Sequence, residues 1–232
     1  MKQLTITALI SILVLSCQDE IPQISQTGTL TFGPIEVTDV SNETLSRAID
    51  ADLIVEICQN GQVVEYKGQT FRFTDGIFPS TLYLQVGTYQ VRAFNSAYTE
   101  VSSWTNSDLG GAIYFKEENI EISGDKVTNI AMQVPMTNIG VTFTLPEGFD
   151  QSFSAYSFSV ATTGAGETAR TVSVNSPQTI YMDAAAFSVT LEATNRDNES
   201  VSTSLTKEEV TAGTLYTVTY QVATANLTTA EK

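Results

Sequence analysis

The residue whose position most clearly suggests chemistry is a cysteine. The chain has two cysteines, and Cys17 follows a short apolar run and directly precedes Gln18, Asp19 and Glu20. A small residue and a cysteine at the end of such a run are typical of a lipobox, in which the cysteine carries lipid and becomes the first residue. Two lipid signals already suffice for stable membrane anchoring. The sequence therefore predicts a lipid anchor at Cys17.

The segment before Cys17 has the features of a signal peptide. Lys2 supplies a positive charge, and residues 4–15 are uncharged and mainly apolar. This run is shorter than the about 20 apolar residues that span a bilayer, but its length suits a signal peptide. The alternative, a buried N-terminal strand, fits poorly with the polar sequence that follows. We predict a signal peptide at 1–16, then the lipidated cysteine and a flexible spacer at 17–27.

The rest of the chain offers few residues for catalysis. It contains no histidine, which removes Ser-His-Asp and Cys-His nucleophilic catalysis and the commonest zinc ligand. Cys58 alone cannot form a thiolate metal site, and its apolar surroundings predict a buried small residue. The sequence pattern brings no two acids together across a cleft, as glycoside hydrolysis would require. We therefore expect no enzyme activity and no cofactor.

Two acidic segments could supply oxygen ligands for calcium, Asp50-Ala51-Asp52 and Asn195-Arg196-Asp197-Asn198-Glu199. Neither has the spacing of an EF-hand loop. Solvated loop acids are therefore the favoured interpretation, and we predict no metal site.

The most suggestive polar segment is the loop at 95–111, which contains the only tryptophan of the chain, Trp104. Serine, threonine and asparagine residues surround it, and Tyr98 and Tyr114 are nearby. Exposed aromatic faces beside hydroxyl and amide groups suit a sugar or a protein partner, because loops of this kind carry function. The alternative, and the one we favour, is that Trp104 plugs the end of the first core, as large aromatic residues do. Tyr98, Trp104 and Tyr114 are the candidate ligand or partner contacts.

Short strands are the elements that position these residues. Apolar alternation bounded by turn signals recurs along the chain, and no long segment shows helical periodicity. Asn60-Gly61 between two apolar runs predicts a type I′ hairpin. Gly33-Pro34 predicts a kink or a change of partner in the first strand, since proline in sheets is confined to edges and bulges. The chain is predicted to be all-β.

The clearest alternation lies between residues 153 and 161. It places Phe153 on one face with Ala155, and Phe158 with Val160 on the other. The pattern therefore predicts that Phe153 and Phe158 lie on opposite faces of the strand.

Length and an internal repeat favour two sandwiches. The chain has 232 residues, more than one β-sandwich normally needs. Apolar residues at 82–91 match those at 180–189, and those at 122–134 match those at 210–222. The second copy is shorter, and the missing residues fall where the first has its loop at 95–111. We predict a first β-sandwich at 28–136, a second at 137–226 and a C-terminal tail at 227–232.

The charge of the chain limits its partners. The formal net charge is −15, and acidic residues outnumber basic ones in both predicted sandwiches. A phosphate backbone would be repelled, which argues strongly against nucleic-acid binding, and we expect no nucleic-acid partner. Anionic lipid headgroups would be repelled as well, so we expect the folded body to stand off the membrane.

Four features resemble an uncharacterised family of Bacteroidota surface lipoproteins, distantly related to fimbrillins and fimbrial anchor subunits. They are the lipobox, the polar and acidic residues after its cysteine, Leu84-x-x-Gly87-x-Tyr89-x-Val91-x-Ala93, and Val134-Pro135-Met136-Thr137-Asn138-Ile139-Gly140-Val141. The resemblance covers residues 17 to about 225.

This resemblance implies two tandem immunoglobulin-like or transthyretin-like β-sandwiches on the outer membrane. It also implies a surface-export signal at Gln18, Asp19 and Glu20. The sequence departs from a pilin, because no basic protease site precedes the first strand and Arg47 lies after it.

Together these features predict a non-catalytic outer-membrane surface lipoprotein. Its two β-sandwich domains would be displayed for adhesion, fimbria-like assembly or cell-surface complex formation. The alternative is a glycan-binding accessory lipoprotein that uses the aromatic loop around Trp104. The expected partners are the membrane, through the N-terminal lipid, and a protein or a glycan.

Overall fold

The computed structural model describes residues 26–38, 53–66, 68–74, 77–162, 170–221 and 225–231. The predicted signal peptide, the lipidation residue Cys17 and the export signal Gln18, Asp19 and Glu20 lie outside these residues. Asp50-Ala51-Asp52 lies outside them as well.

Strands dominate the described residues, as predicted, and the all-β class is confirmed. The N-terminal β-region, residues 26–136, contains β1 (Thr27–Thr38), β2 (Ile54–Gln59), β3 (Gln62–Val63), β4 (Glu65–Tyr66), β5 (Gln69–Thr70), β6 (Arg72–Phe73), β7 (Thr81–Gln85), β8 (Gly87–Phe94), the helix α1 (Ser96–Glu100), a 3-10 turn (Val101–Ser103), β9 (Phe115–Ile122) and β10 (Val127–Pro135). The C-terminal β-region, residues 137–231, contains β11 (Ile139–Thr144), the helix α2 (Phe149–Ser152), β12 (Phe153–Thr162), β13 (Thr171–Val174), β14 (Ile180–Met182), β15 (Phe187–Asn195), β16 (Ser200–Lys207), β17 (Leu215–Gln221) and β18 (Asn226–Glu231).

The N-terminal β-region is a sandwich of two sheets. One sheet has the order β10-β1-β7, in which β1 pairs in parallel with β10 and antiparallel with β7. The other has the order β3-β2-β8-β9, with β6 also paired to β2. Buried apolar side chains from both sheets, such as Leu30, Val91 and Met132, form one core cluster. Alternation along the strands produces this core, because successive side chains point to opposite faces of a sheet.

The C-terminal β-region repeats this arrangement. Its sheets have the orders β14-β11-β17-β18 and β13-β12-β15-β16, and β11 pairs in parallel with β17 and antiparallel with β14. Its separate core cluster is rich in aromatic residues, and the rings of Phe143 and Phe158 stack with centroids 4.4 Å apart.

Two local predictions are confirmed. Asn60 and Gly61 have φ values of 53° and 77° and connect β2 to β3, as the predicted type I′ turn requires. The register between β1 and β10 shifts between Phe32 and Ile35. This irregularity spans Gly33-Pro34, where a proline cannot donate to the ladder.

The predicted facing of Phe153 is wrong. The ring is 9% exposed and belongs to the same core cluster as Phe158. The register between β12 and β15 shifts between Phe153 and Ala155, and one such shift moves a side chain to the other face. The Phe149 ring, 4.7 Å away between centroids, packs against Phe153.

The predicted C-terminal tail at 227–232 is also wrong for residues 227–231. They belong to β18, which pairs antiparallel with β17, and Leu227 is 6% exposed in the C-terminal core. Leu227 is the only large apolar residue of this strand, so the alternation that identifies a strand is almost absent.

The domain boundary at 136/137 stays a prediction. The two core clusters end and begin at Val134 and Ile139, on either side of it. Neither helix in the described ranges is long and apolar enough to cross a membrane.

Candidate binding groove beside the junction of the two β-regions

The connection between β8 and β9 is held by two buried asparagines. Asn95, 6% exposed, donates from its amide to the Ala112 carbonyl at 2.7 Å and accepts from the Tyr114 N–H at 3.1 Å. Asn138, 2% exposed, donates to the Gly111 carbonyl and accepts from the Ile113 N–H, both at 2.9 Å. Each amide satisfies one donor and one acceptor of the extended chain at 111–114, and the buried Ile113 N–H would otherwise lack a partner.

The same connection lies against the C-terminal β-region. The Tyr181 N–H donates to the Leu109 carbonyl at 2.7 Å, and the Thr171 N–H donates to Asn106 Oδ1 at 3.1 Å. Leu109 packs against the C-terminal core cluster although it belongs to the N-terminal region. The loop is therefore the junction between the two regions.

Trp104 lies in this junction and is half-buried. A Cβ added at Gly110, where φ is +73°, would approach the indole Cζ3 to 2.9 Å, so the ring packs against the glycine backbone. The Arg170 guanidinium, from the C-terminal region, lies 5.3 Å from the ring centroid. The described core cluster of the N-terminal region does not include Trp104. The interpretation that this residue plugs the end of the first core is therefore wrong.

An open groove of about 880 Å³ lies beside the junction. Its volume falls in the range typical of small-molecule and cofactor sites, roughly 300–1,000 Å³. The lining combines two aromatic rings with hydroxyl, amide, carboxylate and small residues: Asn95, Ser96, Ala97, Glu100, Ser103, Trp104, Ser107, Asp108, Leu109, Gly110, Gly111, Ala112 and Tyr114. Two of these side chains carry charge, and both are acidic.

The structure brings together two of the three candidate contact residues. Trp104 and Tyr114 both line the groove. Tyr98 is not among the lining residues: its ring stacks on Phe115 at 4.5 Å between centroids and contacts Phe94 at 5.3 Å. Tyr98 therefore fixes α1 to the sheet of β8 and β9.

Asp108 has a structural task within the groove wall. Its Oδ2 accepts hydrogen bonds from the Thr105 N–H and hydroxyl, both at 2.7 Å. These bonds, helped by Arg170, lower the pKa of the carboxyl below its ordinary value. Hydrogen bonds to a carboxylate favour its charged form. The polar turn after Trp104 is thus closed around an ionised aspartate.

Arg170, Glu100 and Asp108 are not among the contact residues predicted from the sequence. Glu100 and Asp108 lie in the loop at 95–111, where the shortage of basic residues indicates an acidic groove. Arg170 carries no local signal, because it meets Trp104 only through the fold.

The acidic turn at 195–199, which the structure describes, forms no metal centre. Among the described residues, no group of three histidine, cysteine or acidic side chains could hold a metal ion. The turn at 195–199 is closed by its own hydrogen bonds: Asn195 Oδ1 accepts from the Asp197 and Glu199 N–H groups at 2.9 and 2.8 Å. Cys58 is buried, as predicted, and burial, with Glu56 nearby, raises the pKa of its thiol.

A second, smaller hollow of about 540 Å³ lies over the strands β12, β15 and β16. Glu192 lies among small hydroxyl residues there, including Ser157 and Ser202. It contains one half-buried aromatic residue, Tyr156, whose ring packs edge-on against Phe149. The groove at the junction therefore offers the larger set of contacts.

The fold is that of an all-β protein built from two-sheet sandwiches. The chain belongs to the family described as domain of unknown function DUF4493, whose model matches residues 26–231. The distant relationship to fimbrillins stays a prediction.

Several solved structures are similar to this chain at low identity. A candidate cell adhesion protein of Bacteroides uniformis has 10% identity and a TM-score of 0.49, with 89% of this chain and 97% of that chain covered. A candidate adhesin of Bacteroides thetaiotaomicron has 11% identity and a TM-score of 0.49, covering 90% and 96%. A candidate polysaccharide-binding protein of the same species has 9% identity and a TM-score of 0.42, covering 84% and 91%. At these values the similarity carries no conclusion about what this chain binds.

A comparison with curated proteins finds no match.

Proposed function

We propose that the protein is a non-catalytic lipoprotein of the outer membrane, displayed at the cell surface for adhesion or for assembly of a surface complex. Lipid on Cys17 fixes one end of the chain, and the two β-regions carry the groove away from the membrane. The observation that carries the binding role is the open groove of about 880 Å³ lined by residues 95–114, beside the junction of the two regions. The net charge of −15 supports a body that stands off an anionic surface.

Display is tested by protease treatment of intact cells. We expect the chain to be digested without lysis and to fractionate with membranes. Cys17→Ala removes the acceptor for lipid, so this variant is expected in the soluble fraction, whereas Cys58→Ala, which changes the other cysteine, stays with membranes. Protection in intact cells followed by digestion after lysis would contradict surface display.

A specific observation favours a second role, glycan binding in the groove. Two aromatic rings, Trp104 and Tyr114, share the groove with serine hydroxyls and an asparagine amide. Aromatic faces pack against the apolar faces of sugar rings, and polar groups around them fix orientation. Because Glu100 and Asp108 are the charged residues of the lining, neutral polysaccharides are preferred over those that contain uronic acids.

This role is tested with soluble mannan and xylan as neutral probes and polygalacturonate as the acidic probe. Binding of a neutral probe should change the emission of the single tryptophan. Tyr114→Ala should weaken binding roughly tenfold or more, as loss of a central aromatic contact does. Tyr83→Ala is the matched control, because Tyr83 is 68% exposed and lies outside the groove lining. A Tyr114→Ala variant that binds as tightly as Tyr83→Ala would contradict a groove site.

A further inference from the structure

Arg170 is fixed to the C-terminal β-region and reaches across the junction. Its backbone N–H donates to Thr162 Oγ1 at 3.1 Å, and its carbonyl accepts from the Thr162 N–H at 3.2 Å, so its main chain is held on β12. Its side chain crosses to the loop of the N-terminal region, where Nη2 donates to the Asp108 carbonyl and the guanidinium covers the Trp104 ring. One residue of the second region thus contacts two residues of the groove lining.

The indole ring is a main partner of this guanidinium. Arg170 Nε is buried and has no hydrogen-bond partner in the described part of the chain. Burial also lowers the pKa of the side chain from its ordinary value, yet an arginine remains charged. A planar guanidinium stacks readily on an aromatic face, and the attraction grows when both groups are shielded from water.

Trp104 is confined from two sides. The Gly110 backbone lies against one edge of the ring, and Arg170 lies over its face at 5.3 Å from the centroid. The loop itself supplies mostly small polar neighbours, such as Ser103, Thr105 and Ser107, and these cannot hold a large ring by packing. The orientation of the ring in the groove therefore depends on a residue from the other region.

We propose that the groove is a composite site, in which Arg170 is the positioning residue that holds Trp104 in the groove wall. This inference rests on the proposed binding role of the groove. It adds that binding in the groove requires both β-regions. The N-terminal region supplies the lining, and the C-terminal region sets its shape.

The first experiment needs no ligand. Acrylamide quenching of the single tryptophan is compared in the full chain for wild type, Arg170→Gln and Arg170→Lys. The matched control is Arg196→Gln, because Arg196 also donates to backbone carbonyls, those of Asp150 and Gln151, but is outside the groove lining. We expect the quenching constant to rise in Arg170→Gln, to rise less in Arg170→Lys, which keeps the charge, and to stay unchanged in Arg196→Gln.

Quenching in Arg170→Gln equal to that of wild type would overturn the proposal. If Arg170→Gln does not fold, the Arg170→Lys variant decides. A quenching constant of Arg170→Lys equal to that of wild type would overturn the proposal, since an ammonium cannot reproduce the stacking of a flat guanidinium.

The second experiment measures binding of soluble mannan and xylan. Loss of a cation–π contact corresponds to a loss of affinity of roughly three- to tenfold, and this is the expected effect of Arg170→Gln, with Arg196→Gln unchanged. Binding that stays equal to wild type while quenching rises would overturn the composite site. If wild type binds neither probe, nor any uronic-acid polymer, glycan binding fails, whereas the quenching result still decides whether Arg170 positions Trp104.

Discussion

The two β-regions pair their strands in the same way but connect one pair of strands differently. In each region the first strand pairs in parallel with a late strand and antiparallel with an earlier one. The antiparallel pair β8–β9 corresponds to β15–β16. Residues 95–114 join the first pair, whereas residues 196–199 suffice for the second. The long connection carries both the junction and the groove, so one insertion on a shared sandwich accounts for the candidate site.

The outer sheet faces differ as well. In the N-terminal region Glu56, 4% exposed, pairs with Arg72 at 2.6 Å and with Arg92 at 3.8 Å. In the C-terminal region the comparable sheet carries a row of small hydroxyl residues, Ser173, Ser159, Thr190 and Ser204. The same strand order thus supports a face with an ion pair at the buried Glu56 in one region and a face with a row of hydroxyl groups in the other.

The largest effect is expected from a cavity in the C-terminal core. Phe158→Ala should lower the free energy of unfolding by about 3–5 kcal/mol, because the ring is 1% exposed and stacks on Phe143. Urea unfolding followed by circular dichroism measures this loss. Thiol labelling of Cys58, buried in the N-terminal region, tests whether the two cores unfold separately.

We expect Cys58 to stay protected in Phe158→Ala at urea concentrations that unfold the C-terminal region. Leu30→Ala, at a buried position of the N-terminal core, is the reciprocal control and should expose the thiol. Labelling of Cys58 at the same urea concentration in both variants would show that the two cores unfold as one.

The strand β18 has no counterpart in the described N-terminal region. A substitution at Leu227 tests how much this strand contributes to the stability of the C-terminal core. Leu227→Ala should cost about 2–5 kcal/mol, near the lower end because an edge strand can relax into the space. Thr228→Ala is the control, because Thr228 is exposed on the same strand. Equal unfolding midpoints for the two variants would mean that β18 adds no core packing.

The junction is tested by the asparagine that spans it. Asn138→Ala leaves the Ile113 N–H and the Gly111 carbonyl without their partner, and each unpaired buried group costs about 1–3 kcal/mol. Asn119→Ala, at an exposed position on β9, should be nearly neutral. Thermal unfolding compares the two variants, and equal midpoints would contradict a structural role for the Asn138 side chain.

The smallest effect is a pH response of the groove wall. The Asp108 pKa is lowered mainly by hydrogen bonds from Thr105. The ionised carboxylate therefore stabilises the folded loop fully at a pH above 3.8, the ordinary aspartate pKa, and this stabilisation is lost as the pH falls through the lowered pKa. Trp104 emission should change in that acidic range. Asp108→Asn should lack this transition, and its persistence in the variant would assign it to another group.

The sequence predicted what depends on local pattern. Asn60-Gly61 predicts its hairpin because few other residue pairs adopt two positive φ values. The loop at 95–111 is identified from its composition, and two of the three candidate residues in and beside it line the groove. The prediction of the face on which Phe153 lies is wrong because alternation assumes an unbroken register. The contact between Arg170 and Trp104 is invisible in the sequence, since it forms only when the two β-regions pack together.

The parallel pairing of β1 with β10 has a mechanical consequence. The N-terminal end of β1 and the C-terminal end of β10 lie at opposite ends of this ladder, so a pull applied between residues 26 and 139 loads the pair in shear. The hydrogen bonds of a parallel ladder are evenly spaced along the strands, and in shear they resist together rather than opening one after another. A chain held at its N-terminus and pulled at its far end would therefore load this first parallel ladder in shear.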